Sequence, residues 1–113
     1  MRRNTLDLDP VRLPNGFIRQ VTHEFLDSVV DLVRSCSDLI SIRYRSSPSG
    51  NGFHCELFCS VDCDRCRYVF DDPRRVSADS ARPVHTRDVL WSEKWYFKGG
   101  RKLRLEAGEW VEV

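Results

Sequence analysis

Apolar and polar residues alternate most clearly from Ile40 to Cys59, ISIRYRSSPSGNGFHCELFC, with a break at Ser47 to Gly52. Alternation on both sides of a glycine-rich polar break predicts two strands joined as a β-hairpin. Successive side chains on a strand point to opposite faces. Ile40, Ile42 and Tyr44 therefore join Phe53, Cys55 and Leu57 on an apolar face, while Arg43, Arg45, His54 and Glu56 gather on the other, with Phe58 as the exception. Reversing the chain within the loop calls for positive φ at Gly50 or Gly52. Thr5 to Asp9, TLDLD, alternates in the same way and stops at Pro10, which cannot donate to a sheet ladder. Leu6 and Leu8 would face inward, with Asp7 and Asp9 projecting together from the other side.

Between these strands, Val21, Phe25, Val29, Leu32, Val33 and Cys36 recur at helical spacing, predicting an amphipathic helix that begins at about 17 or 22 and ends at 36, with Thr22 as N-cap of the later start. His23, Glu24, Asp27 and Asp31 fall on its solvated side. Asp72-Pro73 opens a second, short helix over 73 to 82. Asp88 to Phe97 is rich in strand formers, Gly99-Gly100 allows a turn into Lys102 to Glu106, and Trp110 to Val113 reads as a last strand. The order is strand, helix, strand, strand, helix, strand, with a C-terminal hairpin added. It predicts one α+β domain over 1–113, a ferredoxin-like or RRM-like antiparallel sheet with two helices on one face.

Composition narrows this little. A net charge of +1 with 31% charged residues is that of an ordinary globular domain, without the strong basic excess of most nucleic-acid binders. Fifteen of the eighteen basic residues are Arg, the side chain suited to bidentate phosphate contacts, although a high-GC genome or a thermophilic source produces the same bias. No apolar run approaches the ~20 residues of a membrane span, and no signal-peptide core follows the first residues. The expectation is a cytoplasmic protein, in the host cytoplasm if the source is viral, with no membrane partner.

The chemistry lies in the polar positions. Asp7 and Asp9 would stand about 6 to 7 Å apart on one face, a spacing from which two carboxylates share Mg²⁺ or Mn²⁺. On the same face, His54 and Arg43 would meet a triphosphate. Leu6-Asp7-Leu8-Asp9, the loop Ser49-Gly50-Asn51-Gly52-Phe53-His54 and the later Phe70-Asp71 resemble, in the same order, three motifs of the archaeo-eukaryotic primase and primase-polymerase catalytic core. Val76 to Asp79 with Arg82, Arg87, Leu90 and Lys94 resembles the segment that follows in that family. The chain also resembles small uncharacterised proteins of archaea and their viruses, which join such a loop to an Asp-Asp-Pro-x-Arg segment. The resemblance implies an RRM-like core and a minimal nucleotidyltransfer site, active or inactive. Asp7, Asp9, Asp71 and His54 would be its catalytic residues, and Arg43, Arg45, Ser49, Gly50, Gly52, His54, Arg82 and Lys94 would contact nucleotide or nucleic acid. The third acid stays open among Asp71, Asp72 and Asp79.

Cys59, Cys63 and Cys66 have knuckle-like spacing that suits zinc, with His85, Cys36 or a partner chain as fourth ligand; a disulfide or free thiols are the alternatives. Cys36 and Cys55 read as small core residues. Two other functions compete with the nucleotide reading. One is a non-catalytic single-strand-binding module using Arg43, Arg45 and Tyr68 or Trp91. The other is an assembly protein whose Trp91, Trp95, Tyr96 and Trp110 form a homo-oligomer interface.

Overall fold

The computed structural model describes residues 2–61, 65–83 and 87–113. Its elements in chain order are β1 (Arg2–Leu8), β2 (Val11–Arg12), β3 (Ile18–Arg19), α1 (His23–Arg34), β4 (Leu39–Ser46), β5 (Phe53–Cys59), α2 (Arg65–Phe70), α3 (Pro73–Ser80), β6 (Glu93–Lys98), β7 (Arg101–Glu106) and β8 (Val111–Glu112). The expected α+β class holds. A four-stranded antiparallel sheet in the order β1-β5-β4-β8 carries the fold, and β2-β3 and β6-β7 form separate two-stranded sheets.

One sheet face is apolar because the predicted alternation holds: Leu6, Leu8, Phe53, Cys55, Leu57 and Ile42 are buried there. Helix α1 covers them with Leu26, Val29, Val30 and Val33. These residues follow the i, i+3, i+4, i+7 pattern of one helix face. Leu32, expected on the apolar stripe, is 60% exposed, since the buried stripe runs through Leu26 and Val30 instead. Thr22 caps the helix as expected, its side chain accepting from the Phe25 N–H at 3.1 Å. Each fully buried leucine in this layer contributes about 1.5–3 kcal/mol.

Two further expectations fail for local reasons. Ile40 is 58% exposed because the β4-β5 register shifts between Leu39 and Ser41, and this irregularity puts Leu39 rather than Ile40 against the core. The segment expected as a fourth strand, 88 to 97, does not join the main sheet: its strand β6 pairs with β7, and the C-terminal β8 extends the sheet from β4 instead. Strand β1 is therefore an edge. Helix α2 packs beside it, with Cys66 and Phe70 against the core, and from α3 Arg75 reaches over the edge to Thr5.

This edge is held by charge. The Asp71 carboxylate accepts from the Asp7 backbone N–H at 2.8 Å, using a donor that an unpaired strand would leave bare. Buried Arg67 pairs with Asp71, Asp79 and Asp88 at 3.0, 2.7 and 3.1 Å, and Arg75 adds a contact to Asp71 at 2.6 Å. Burial pushes the Asp79 carboxyl up, but the Asp88 N–H and Arg67 outweigh it and leave its pKa below the usual range. Among the described residues no helix is long and apolar enough to cross a membrane.

Candidate functional site

The sheet's second face carries ionisable side chains in rows across three strands. Asp7 of β1 lies opposite His54 of β5, which lies opposite Arg45 of β4. The next row is Thr5, Glu56 and Arg43. Glu56 is bound from both sides, by Arg3 Nε and Arg43 Nε at 2.7 Å each. Burial raises its pKa and the two arginines outweigh that, so it stays a carboxylate. Arg43 and Arg45 both lie over the Trp110 ring, their guanidinium carbons 4.3 and 4.4 Å from its centroid. The two arginines expected to contact ligand are thus committed to Glu56, His54 and Trp110.

His54 is buried and its chemistry is fixed by Arg45. Arg45 Nε donates to His54 Nδ1 at 3.1 Å, and a guanidinium never gives up that proton, so Nδ1 is the acceptor and Nε2 carries the hydrogen. Burial, then Arg45 and Arg75, push the His54 pKa down to about 4, which leaves the ring neutral at physiological pH. Nε2 faces Asp7 Oδ1 at 3.8 Å, too far for a hydrogen bond. The imidazole is a neutral donor aimed toward the acids, and in this tautomer it cannot ligate a metal through Nε2.

Asp7, Asp9, His54 and Ser49 line one wall of a cleft of about 520 Å³, and Arg82 and Lys94 line it from other elements. Burial first and then Asp9 raise the Asp7 pKa to about 7, against the pull of Arg75. Asp9 is raised as well, chiefly by burial, while its hydrogen bond with Asp7 works the other way. The pair holds one proton more tightly than two isolated carboxyls would. Asp7 Oδ1 has no hydrogen-bond partner among the described residues. Two crowded carboxylates with a bare oxygen suit a hard divalent cation, and Mg²⁺ is commonly held by one or two carboxylates with water and phosphate oxygens completing the shell. Among the described residues no three His, Cys, Asp or Glu side chains converge as a metal site, so any ion here relies on such outside ligands.

The loop residues divide. Gly50 has the expected positive φ, 74°. Gly52 serves by lacking a side chain: a Cβ there would lie 2.1 Å from the Leu8 carbonyl oxygen and 3.0 Å from Asp9 Oδ1. The loop sits down on the end of β1 and carries Ser49 to the acids, while both glycines line a neighbouring hollow with Tyr44 and Phe53. Asp71, expected as the third acid, does not line the cleft. Its carboxylate is fully buried and engaged by Arg67, Arg75 and two backbone N–H groups. Asp79 does line the cleft but is tied to Arg67.

Arg75 is the cleft residue that sequence reasoning missed. It joins Asp71 and the Thr5 and Val89 carbonyls while facing Asp7. It is the Arg of the Asp-Asp-Pro-x-Arg segment and stands four residues from Asp71 on a helix start, but the sequence alone assigns it no role.

The zinc expectation falls partly outside the described residues, since Cys63 and His85 lie there. Cys59 is buried at the end of β5, and Cys66 packs on the core from α2. Burial pushes the Cys55 thiol up to about 12, so it stays an inert core residue. No family model matches the chain, and no curated protein or solved structure matches it either.

Proposed function

We propose that the cleft binds a nucleoside triphosphate together with Mg²⁺ or Mn²⁺, and that the protein is a nucleotide-binding domain of primase-like type. The observation that carries this reading is the Asp7–His54–Arg45 row, in which two proton-sharing carboxylates face a neutral imidazole N–H. Asp7 and Asp9 would hold the ion. When bound, it supplies positive charge to the phosphate oxygens. His54 Nε2–H donates to a phosphate oxygen, and Arg82 and Lys94 answer the remaining charge from other walls. Ser49 adds a hydroxyl beside them. The two motifs that resemble those of the primases lie on adjacent strands, β1 and β5, and α1 crosses between β1 and β4 as in half of a ferredoxin-like core.

The test is binding of a fluorescent nucleoside triphosphate with Mn²⁺ and with chelator. Binding should require Mn²⁺, should be lost in Asp9→Asn and should weaken in His54→Ala by ~1 to 3 kcal/mol, the cost of a hydrogen bond to a charged group. Mn²⁺-independent binding, or none by the parent protein, would remove this function.

A further inference from the structure

Strands β6 and β7 form a hairpin whose extensive contacts are with each other. It is tied down at its root, where Ala107 N–H donates to the Ser92 carbonyl at 2.8 Å and Gly108 N–H to the Ser46 carbonyl at 3.0 Å. Its register, Trp95 opposite Arg104 and Phe97 opposite Lys102, puts Trp95 and Phe97 on one face with those two cations across from them. Phe97 is 77% exposed and Trp95 47%. The hydrogen bond from Trp95 Nε1 to Glu93 Oε1 at 3.3 Å orients the indole, and Lys102 Nζ lies 4.5 Å from its centroid.

Exposed aromatics two apart on a strand are spaced by about 6.6 Å and present their rings side by side. Neither ring is hidden in a core, and each stands opposite a cation on the partner strand. The charge balance of the hairpin is also one-sided. On the aromatic face Arg104 is answered by Glu93 and Glu106, whereas Lys102 has no carboxylate partner among the described residues; Lys98 and Arg101, likewise without one, lie opposite each other at the hairpin tip and project from the other face. Exposed rings beside an unanswered lysine, with two more cations at the hairpin tip, are the chemistry that holds an unpaired polynucleotide: bases stack on the rings while the backbone follows the cations.

We propose that the outer face of this hairpin is a stacking platform for single-stranded nucleic acid, with one base on Trp95 and the next on Phe97. The platform meets the cleft at its rim, because Glu93 belongs to this face and also lines the cleft beside Lys94 and Trp91, itself 73% exposed. A strand stacked on the hairpin leads toward Trp91 and the acids. This goes beyond the nucleotide reading and rests on a different surface, so either can fail alone.

Fluorescence anisotropy with labelled oligothymidylate and oligouridylate of about ten nucleotides tests it. The full chain should bind at least one of them, more weakly as salt rises, and the affinity ratio reports whether the sugar is read. The Trp95→Ala/Phe97→Ala double variant should lose about tenfold or more in affinity, and Trp95→Phe should keep most of it. Mn²⁺-dependent nucleotide binding by the double variant should match the parent, as should its circular dichroism. Absence of oligonucleotide binding by the parent, or unchanged binding by the double variant, would overturn the proposal. So would a parent dimer, seen by sedimentation, that becomes monomeric in the double variant without any change in oligonucleotide affinity, for then the face joins two copies of this chain.

Discussion

Replacing Asp7 by Asn separates the cost of the acid pair from its use. In the folded protein the Asp7 carboxyl binds its proton up to about pH 7, against an ordinary value of 3.8. A carboxyl whose folded pKa is raised favours the native state most fully below its unfolded pKa, and that advantage is lost as pH rises from 3.8 through about 7. At 1.36 kcal/mol per pH unit the shift has a ceiling of about 4 kcal/mol. The side chain keeps 24% of its surface in solvent, where water screens the charge, so about 1–3 kcal/mol is the expected effect. Asn mimics the protonated acid in shape. At about pH 4 the variant and parent should unfold at nearly the same urea concentration, and by about pH 8 the variant should be the more stable by that margin. Mn²⁺ should raise the melting temperature of the parent at about pH 8 and leave the variant unmoved, because an ion bound only by the native state stabilises it. A variant equally destabilised at both pH values would refute the reasoning, since Asp7 would then be an ordinary structural carboxylate.

Arg67→Met leaves the buried carboxylates of Asp71, Asp79 and Asp88 without their shared cation and should cost about 3–5 kcal/mol in urea unfolding. A loss under ~1 kcal/mol would mean that the network is not what holds the β1 edge. Gly50→Ala meets no neighbouring atom and should cost only the ~1–2 kcal/mol of a left-handed backbone, whereas Gly52→Ala drives a Cβ into the Leu8 carbonyl and should also impair Mn²⁺ binding by displacing the chain at Asp9. Equal effects of the two substitutions in urea unfolding and Mn²⁺ titration would contradict the close approach seen at Gly52.

The convergence of Asp7 and His54 is legible in the chain because it needs only alternation within two strands and their pairing. Both follow from where the apolar residues fall. Asp9, Ser49 and the positive φ of Gly50 come with it. Asp71 is misread for the same reason that Arg67 is invisible: a carboxylate beside an apolar residue looks alike whether it faces a ligand or a buried guanidinium four residues away. Only the placement of α2 and α3 decides. The departure of 93–106 from the main sheet is equally hidden. Alternation and a glycine turn specify a hairpin, but nothing local says which sheet edge, if any, it joins. Ile40 and Leu32 show the remaining limit, since one irregularity in register or one position of helix rotation exchanges core for solvent.

The C-terminal segment and the cleft are coupled through Trp110, and Trp110→Ala measures the coupling. The indole holds Arg43 and Arg45 together just ahead of β8, which pairs with β4 at Tyr44 and Arg43. Each cation-π contact contributes about 0.5–2 kcal/mol, so the substitution should cost about 1–4 kcal/mol of stability. Its more informative effect is on His54. Without the ring Arg45 is free to leave Nδ1, which removes both the donor that fixes the tautomer and a charge that depresses the imidazole pKa. In the parent, nitrogen NMR should show the hydrogen on Nε2 and a titration midpoint near about 4. A histidine so depressed stabilises the fold above its unfolded pKa of ~6.5, and this contribution falls away as pH drops toward about 4. In Trp110→Ala the midpoint should climb toward the ordinary value and both tautomers should appear. An unchanged midpoint in a folded variant would mean that Arg45 is held by Leu90 and burial alone. The C-terminal strand would then support the sheet without setting the donor that faces the acids.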